Sequence, residues 1–229
     1  MLPLHDNVPT RTFPLVTVAL IATNVVVWLW ELSGGRYEQH VVDYSYYPCA
    51  VTNSCLAGAG HLPWWEGAFT SLFMHASWAH ILGNMLFLWI FGNNVEDAMG
   101  HLRFLAFYLG AGLAAAAFQT FVTLQQSSDL GASVPNLGAS GAIAGVLGAY
   151  IVLLPWAKVL TLFGIFPIYV PAVFFLGFWF VLQALEGNLQ LHHPTAGGGT
   201  AVFAHIGGMV FGALTVRAFV IRKPLRPTF

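Results

Sequence analysis

Long apolar runs with almost no charge most limit the folds open to this chain. They cover about Phe13 to Trp30, Phe69 to Phe91, Leu102 to Leu124, Gly138 to Leu154, Ile168 to Leu185 and Ala201 to Val220. Each comes close to the ~20 apolar residues that a helix needs to cross a bilayer. Stretches rich in Gly, Pro and Asn separate them, as turn chemistry requires. Only 8 residues are Lys or Arg and 9 are Asp or Glu, so the chain cannot clothe a soluble surface. The 57% hydrophobic content exclude disorder, as do 19 Phe, 8 Trp and 7 Tyr. A net charge of -1, with no basic cluster before the last few residues, argues against a nucleic-acid partner. The expectation is an all-α, polytopic membrane protein of six transmembrane helices lodged in a lipid bilayer.

The first run could be read as a secretory leader. However, Glu31-Leu32-Ser33-Gly34 offers no small-residue cleavage site, so it reads as a retained helix. Pro167 and Pro171 sit where the fifth run begins and bear on its boundary. Basic residues then orient the bundle. With the amino terminus in the cytoplasm, Arg11, Arg103, Lys158, Arg217, Arg222, Lys223 and Arg226 fall inside and only Arg36 outside. Both termini are therefore expected inside. The organisation reads as a cytoplasmic tail over 1–12, a membrane domain over 13–221 and a cytoplasmic tail over 222–229. A long first outer segment covers 31–68, and its Tyr44, Tyr46, Tyr47, Trp64 and Trp65 suit the interfacial zone. Cys49 and Cys55 lie in it. Facing an oxidising compartment they would close a small disulfide loop, and the alternative is two free cysteines.

Polar residues within the runs are few: Asn24, His75, His80, Asn84, Gln119, Ser140, Gln183 and His205. No Asp, Glu, Lys or Arg lies near a centre, which weighs against an ion pathway built on buried charge. His80 and Asn84 are spaced i, i+4 and share a helix face. Ser140 opens the fourth run within Gly138-Ala139-Ser140-Gly141. A serine there more often caps a helix than reacts. Yet the glycines allow close approach, and a helix amino terminus favours developing negative charge. His205 enters the sixth run from the same side as Ser140. Gly141 and Gly145 on one helix, with Gly208 and Gly212 on the other, give small-xxx-small spacings that let two helices meet closely. The spacing thus yields a Ser-His pair, with His80 and Asn84 as candidate oxyanion donors. No carboxylate lies near His205 in these runs, so the expectation is a dyad rather than a triad.

Nine histidines raise the question of a metal. Neither His192-His193 nor the His75/His80 spacing supplies a closed ligand set, so no metal and no cofactor is expected. His75 reads as a supporting or packing residue near the cavity. Gly197-Gly198-Gly199 reads as a flexible approach to the sixth helix.

At these positions the chain resembles the rhomboid family of intramembrane serine proteases. The resemblance rests on His80-Ile81-Leu82-Gly83-Asn84, with Gly92-Asn93-Asn94-Val95-Glu96 downstream, then Gly138-Ala139-Ser140-Gly141, then Ala204-His205-Ile206-Gly207-Gly208. These motifs fall in order on runs two, four and six. The resemblance implies that Ser140 is the nucleophile and His205 its general base. It implies an oxyanion hole of Asn84, His80 and the Ser140 backbone N–H, with Gly138 and Gly141 easing substrate approach. It also implies a bracing first loop and a fifth helix that gates access. The implied activity is cleavage of transmembrane segments of single-pass or polytopic membrane proteins, after a small residue near the outer face. The implied location is the plasma membrane, with the site facing the extracytoplasmic side. Two positions depart from the pattern. Ala144 stands where many members carry an aromatic residue that stacks on the histidine, and Trp64-Trp65-Glu66 replaces a Trp-Arg pair. The alternative reading is a non-catalytic family member that binds transmembrane clients. A solute transporter is disfavoured for want of an inverted repeat.

Overall fold

The computed structural model describes residues 2–126, 129–192 and 201–228. The chain is mainly helical. In order it forms β1 (Leu2–Asp6), α1 (Leu15–Glu31), α2 (Tyr37–Tyr44), α3 (Trp64–Thr70), α4 (Trp78–Phe87), α5 (Asn93–Met99) and α6 (His101–Gln126). Then follow α7 (Asp129–Ala132), α8 (Ser140–Leu153), β2 (Lys158–Phe163), β3 (Phe166–Pro171), α9 (Ala172–His192) and α10 (Val202–Phe219). Among the described residues three helices, α6, α9 and α10, are long and apolar enough to cross a membrane, and α1 and α8 are shorter apolar helices.

The centre is a three-helix contact among α6, α8 and α10, built on residues without side chains to separate them. A Cβ on Gly208 would lie 2.1 Å from the Gly141 carbonyl oxygen, and one on Gly212 would lie 1.9 Å from that of Gly145. A Cβ on Gly145 would come within 2.4 Å of Ala111 Cβ on α6. The two glycine pairs therefore bring α8 and α10 together main chain to main chain, as small-residue spacing permits. Around this contact Phe91, Phe104, Phe107, Tyr108 and Tyr150 are completely buried.

Two acidic residues of α5 tie α1 and the chain before it to the bundle. α1 begins after Pro14 with no side-chain cap of its own. Glu96 of α5 accepts from the N–H groups of Val16 and Thr17, both at 2.8 Å, and from the Thr17 hydroxyl at 2.6 Å. A carboxylate at a helix amino terminus satisfies orphan donors and meets the positive end of the helix dipole. Asp97, next along, accepts from the Arg11 guanidinium at 2.8 Å and from the Arg11 backbone N–H at 3.0 Å.

Several expectations are modified. The fold is not purely helical: β1, β2 and β3 form a three-stranded antiparallel sheet in that order. Lys158 to Pro171 reads as apolar sequence whose period is ambiguous, but Phe163 pairs with Phe166 across a two-residue turn. Gly164 takes φ +62 in that turn, a conformation hairpins demand and most residues resist. The fifth apolar run therefore starts as strand, and its helix begins only at Ala172. The amino-terminal segment is tied to the sheet and to the carboxyl-terminal segment: β1 pairs with β2, and the Asn7 carbonyl accepts from the Thr228 N–H. The second run is broken as well. α3 ends at Thr70, a single 3-10 turn follows, and Met74 is extended. The helix restarts at Trp78, capped by Ser77 Oγ accepting from the His80 N–H at 3.1 Å. α4 then runs through a π-helical turn, Leu88–Gly92, into α5.

The segment over 31–68 is short helices and turns, with Trp64 and Trp65 exposed. Cys49 and Cys55 are joined as a disulfide within it. His193 and Gly197-Gly198-Gly199 lie outside the described residues.

Candidate active site

Ser140 is the first residue of α8, so its backbone N–H belongs to the turn that has no partner within the helix. His205 sits in the first turn of α10 and is buried. Because α8 and α10 touch along their glycines, the two helix starts lie side by side. His205 Nε2 is 2.8 Å from Ser140 Oγ, a full hydrogen bond.

The opposite ring nitrogen is engaged too. His205 Nδ1 lies 2.6 Å from Gln183 Oε1 of α9. Trp179, one turn earlier on α9, places its ring centroid 5.6 Å from the imidazole at an interplanar angle of 41°. Ala144, completely buried, leaves room on the cavity side. The amino terminus of α10 is held by Gln119 Oε1 of α6, which accepts from the Ala204 N–H at 3.1 Å.

The other wall comes from α4 and the strand-like segment before it. Asn84 is buried, and its Nδ2 lies 3.1 Å from His75 Nε2. The His75 backbone N–H is held in turn by the buried Glu31 carboxylate at 3.2 and 3.3 Å. His80 Nδ1 accepts from the Ala76 N–H at 3.3 Å, which leaves the opposite ring nitrogen as the hydrogen bearer. That nitrogen would be 2.9 Å from a Cβ on Gly138, a point itself 3.6 Å from Ser140 Oγ. Gly138, at φ +130, is therefore open for two reasons: its backbone suits glycine, and a methyl would strike the imidazole.

These groups line one cavity of about 580 Å³ that includes His80, Asn84, Ser140, Trp179 and His205. Its deeper wall is apolar, with Gly83, Phe87, Ile143, Ala144 and Leu147. Ser140, His205, His80, Asn84 and Gly138 are thus brought together. Gly141 is placed differently: it is buried, and a Cβ on it would lie 2.7 Å from Ala115 Cβ of α6, so it serves helix packing. Among the described residues no group of three or more His, Cys, Asp or Glu side chains could hold a metal. Sequence reasoning gave Gln183, Trp179 and Gln119 no role in the site. The only signal for Gln183 was its polarity within the apolar first part of α9, Ala172 to Leu185.

A family model for the Rhomboid domain matches residues 62–222. Rhomboid protein 1, mitochondrial, of Saccharomyces cerevisiae is 34% identical over 92% of this chain and 56% of its own length. Rhomboid protease GluP of Bacillus subtilis is 30% identical over 92% of this chain and 36% of its own. Putative rhomboid protease YdcA of the same organism is 30% identical over 62% of this chain and 63% of its own. The chain spans about a third to just under two thirds of the length of these relatives. Carrying the family's domain over most of its residues, this membrane protein belongs to the rhomboid family.

Proposed function

We propose that this chain is an intramembrane serine endopeptidase that cuts transmembrane segments of other membrane proteins. The observation that carries the reading is the 2.8 Å contact of His205 Nε2 with Ser140 Oγ, at a helix amino terminus opening into a cavity. Relatives named as proteases add support.

In the proposed reaction Ser140 Oγ attacks a peptide carbonyl as His205 Nε2 takes its proton. The carbonyl oxygen gains negative charge and meets the Ser140 backbone N–H, Asn84 Nδ2 and the His80 ring N–H. In a low-dielectric site one such donor is worth about 3 kcal/mol of transition-state stabilisation. The tetrahedral species collapses, the amine leaves with the proton from His205, and an ester to Ser140 remains. Water, deprotonated by His205, hydrolyses that ester and restores the dyad.

The setting is read as six spans, with both termini in the cytoplasm of a cell whose plasma membrane holds the enzyme. α8 and α10 both start at the dyad and end near the sheet and the Arg11–Asp97 contact, so the basic residues gather at the far end from Ser140. That separation supports a site facing the extracytoplasmic side. A water-filled cavity at the outer helix ends would supply the hydrolytic water.

The test is cleavage of a single-span reporter by the purified protein in liposomes, together with labelling by a fluorophosphonate probe. Cleavage and Ser140 labelling are expected, both lost in Ser140→Ala and His205→Ala. Cleavage unchanged in either variant overturns the reading. Client binding without product or labelling would show the non-catalytic alternative instead.

A further inference from the structure

His205 is gripped at both nitrogens, and the second grip comes from a helix that contributes neither nucleophile nor oxyanion donor. For Nε2 to accept the Ser140 proton it must present a lone pair, so the ring hydrogen must sit on Nδ1. Only an acceptor stabilises that tautomer. The atom facing Nδ1 is the Gln183 carbonyl oxygen, at 2.6 Å, and a neutral carboxamide offers no charge. Trp179, four residues earlier, lies against the same imidazole, so α9 contacts both the edge and the ring of His205. On the α8 side Ala144 is too short to do this.

Resting on the protease reading above, we propose that Gln183 is the positioning residue of the site. It holds His205 in the Nδ1–H tautomer, with Trp179 fixing the ring plane. The arrangement replaces a buried carboxylate with a neutral acceptor. This avoids the desolvation cost of an ionised acid within an apolar helix and forgoes its full stabilisation of the imidazolium. The proton still travels from Ser140 to Nε2 and on to the leaving amine, and the Nδ1 proton never leaves the histidine.

The experiment compares Gln183→Leu, Gln183→Glu and the parent for cleavage of the liposome reporter and for fluorophosphonate labelling. Gln183→Leu removes the acceptor at similar volume. It is expected to lower kcat about 10- to 100-fold with KM within about twofold, because orientation of the base acts on the transition state. Gln183→Glu restores an acceptor and adds charge beside the imidazole. It is expected to recover activity and to move the acidic limb of the pH–rate profile upward by about one unit. Among the described residues, His80 of α4 is the other titratable group that lines this cavity, and it is unchanged in both variants. Parent-like kcat in Gln183→Leu overturns the assignment. If that variant fails to fold, an unmoved acidic limb in Gln183→Glu overturns it equally. In either case a parent that cleaves and labels at Ser140 leaves the protease reading standing, whereas a parent that does neither removes that reading first.

Discussion

Asn84 is aimed by His75: its Nδ2 lies 3.1 Å from His75 Nε2, and the His75 backbone is itself tied to the buried Glu31 carboxylate. One N–H of the Asn84 amide is thereby committed, which leaves the other to face developing charge. Asn84→Ala is expected to lower kcat about 100-fold or more with little change in KM, as loss of one oxyanion donor does elsewhere. His75→Ala keeps the amide but frees its rotation, so a smaller loss, about tenfold, is expected. Steady-state cleavage of a reporter checks both, and equal effects of the two variants would contradict the assigned roles.

Gly212 offers a packing test. A methyl there would fall 1.9 Å from the Gly145 carbonyl oxygen, and backbone cannot move aside as a side chain can. Gly212→Ala is expected to cost more than about 3 kcal/mol and to abolish activity by parting α8 from α10. Gly177→Ala on α9 meets nothing within 4 Å and gains helix propensity, so it should be neutral or stabilising by up to about 1 kcal/mol. Thermal unfolding in detergent distinguishes the two.

Glu96 joins α5 to α1 through three hydrogen bonds and also meets His101 Nδ1 at 2.5 Å. Glu96→Ala strands two helix N–H groups and the Thr17 hydroxyl, and the expected destabilisation is about 3 kcal/mol. Glu96→Gln keeps an acceptor oxygen and should lose less than half of that. Denaturant unfolding of both variants gives the comparison.

The sheet brings a pH dependence. Burial pushes the Asp6 carboxyl up to about 6, against the lowering effect of the Tyr150 hydroxyl that donates to it. Between about pH 4 and 6 the folded segment holds a proton that the unfolded one has released. Attachment of β1 is therefore strongest below about pH 4 and weakens as pH rises through 6. Asp6→Asn keeps an acceptor for Tyr150 without the charge. It should match the parent near pH 4 and exceed it by on the order of 1–2 kcal/mol at pH 7.5. Proteolysis of the amino-terminal segment at the two pH values reads this out.

Much of the architecture was legible because apolar runs and helix-terminal residues are local signals. α6, α8 and α10 begin and end close to their runs, and Ser140 and His205 could be paired from glycine spacing alone. The continuous hydropathy from Phe69 to Phe91 hid the break before α4, and the Ser77 cap at its restart went unread. β2 and β3 were missed because a short buried strand and a helix segment look alike in periodicity. Gly164 was their one turn signal. Gln183 was unreadable for another reason. Its meaning lies wholly in a contact with a residue 22 positions away on another helix, and an isolated amide carries no spacing code.

The meeting of α8 and α10 through bare backbone has a further consequence. Two main chains in contact act as a strut, so the gap between nucleophile and base is set by parts that cannot compress. The tautomer of that base depends instead on α9, whose outer face exposes Phe174, Phe178, Leu182 and Leu185. A helix that pushed α9 outward to reach the cavity would find the serine in place but its partner unlatched. Chemistry would slow until the wall swung back, so an open door would meet a blunted blade.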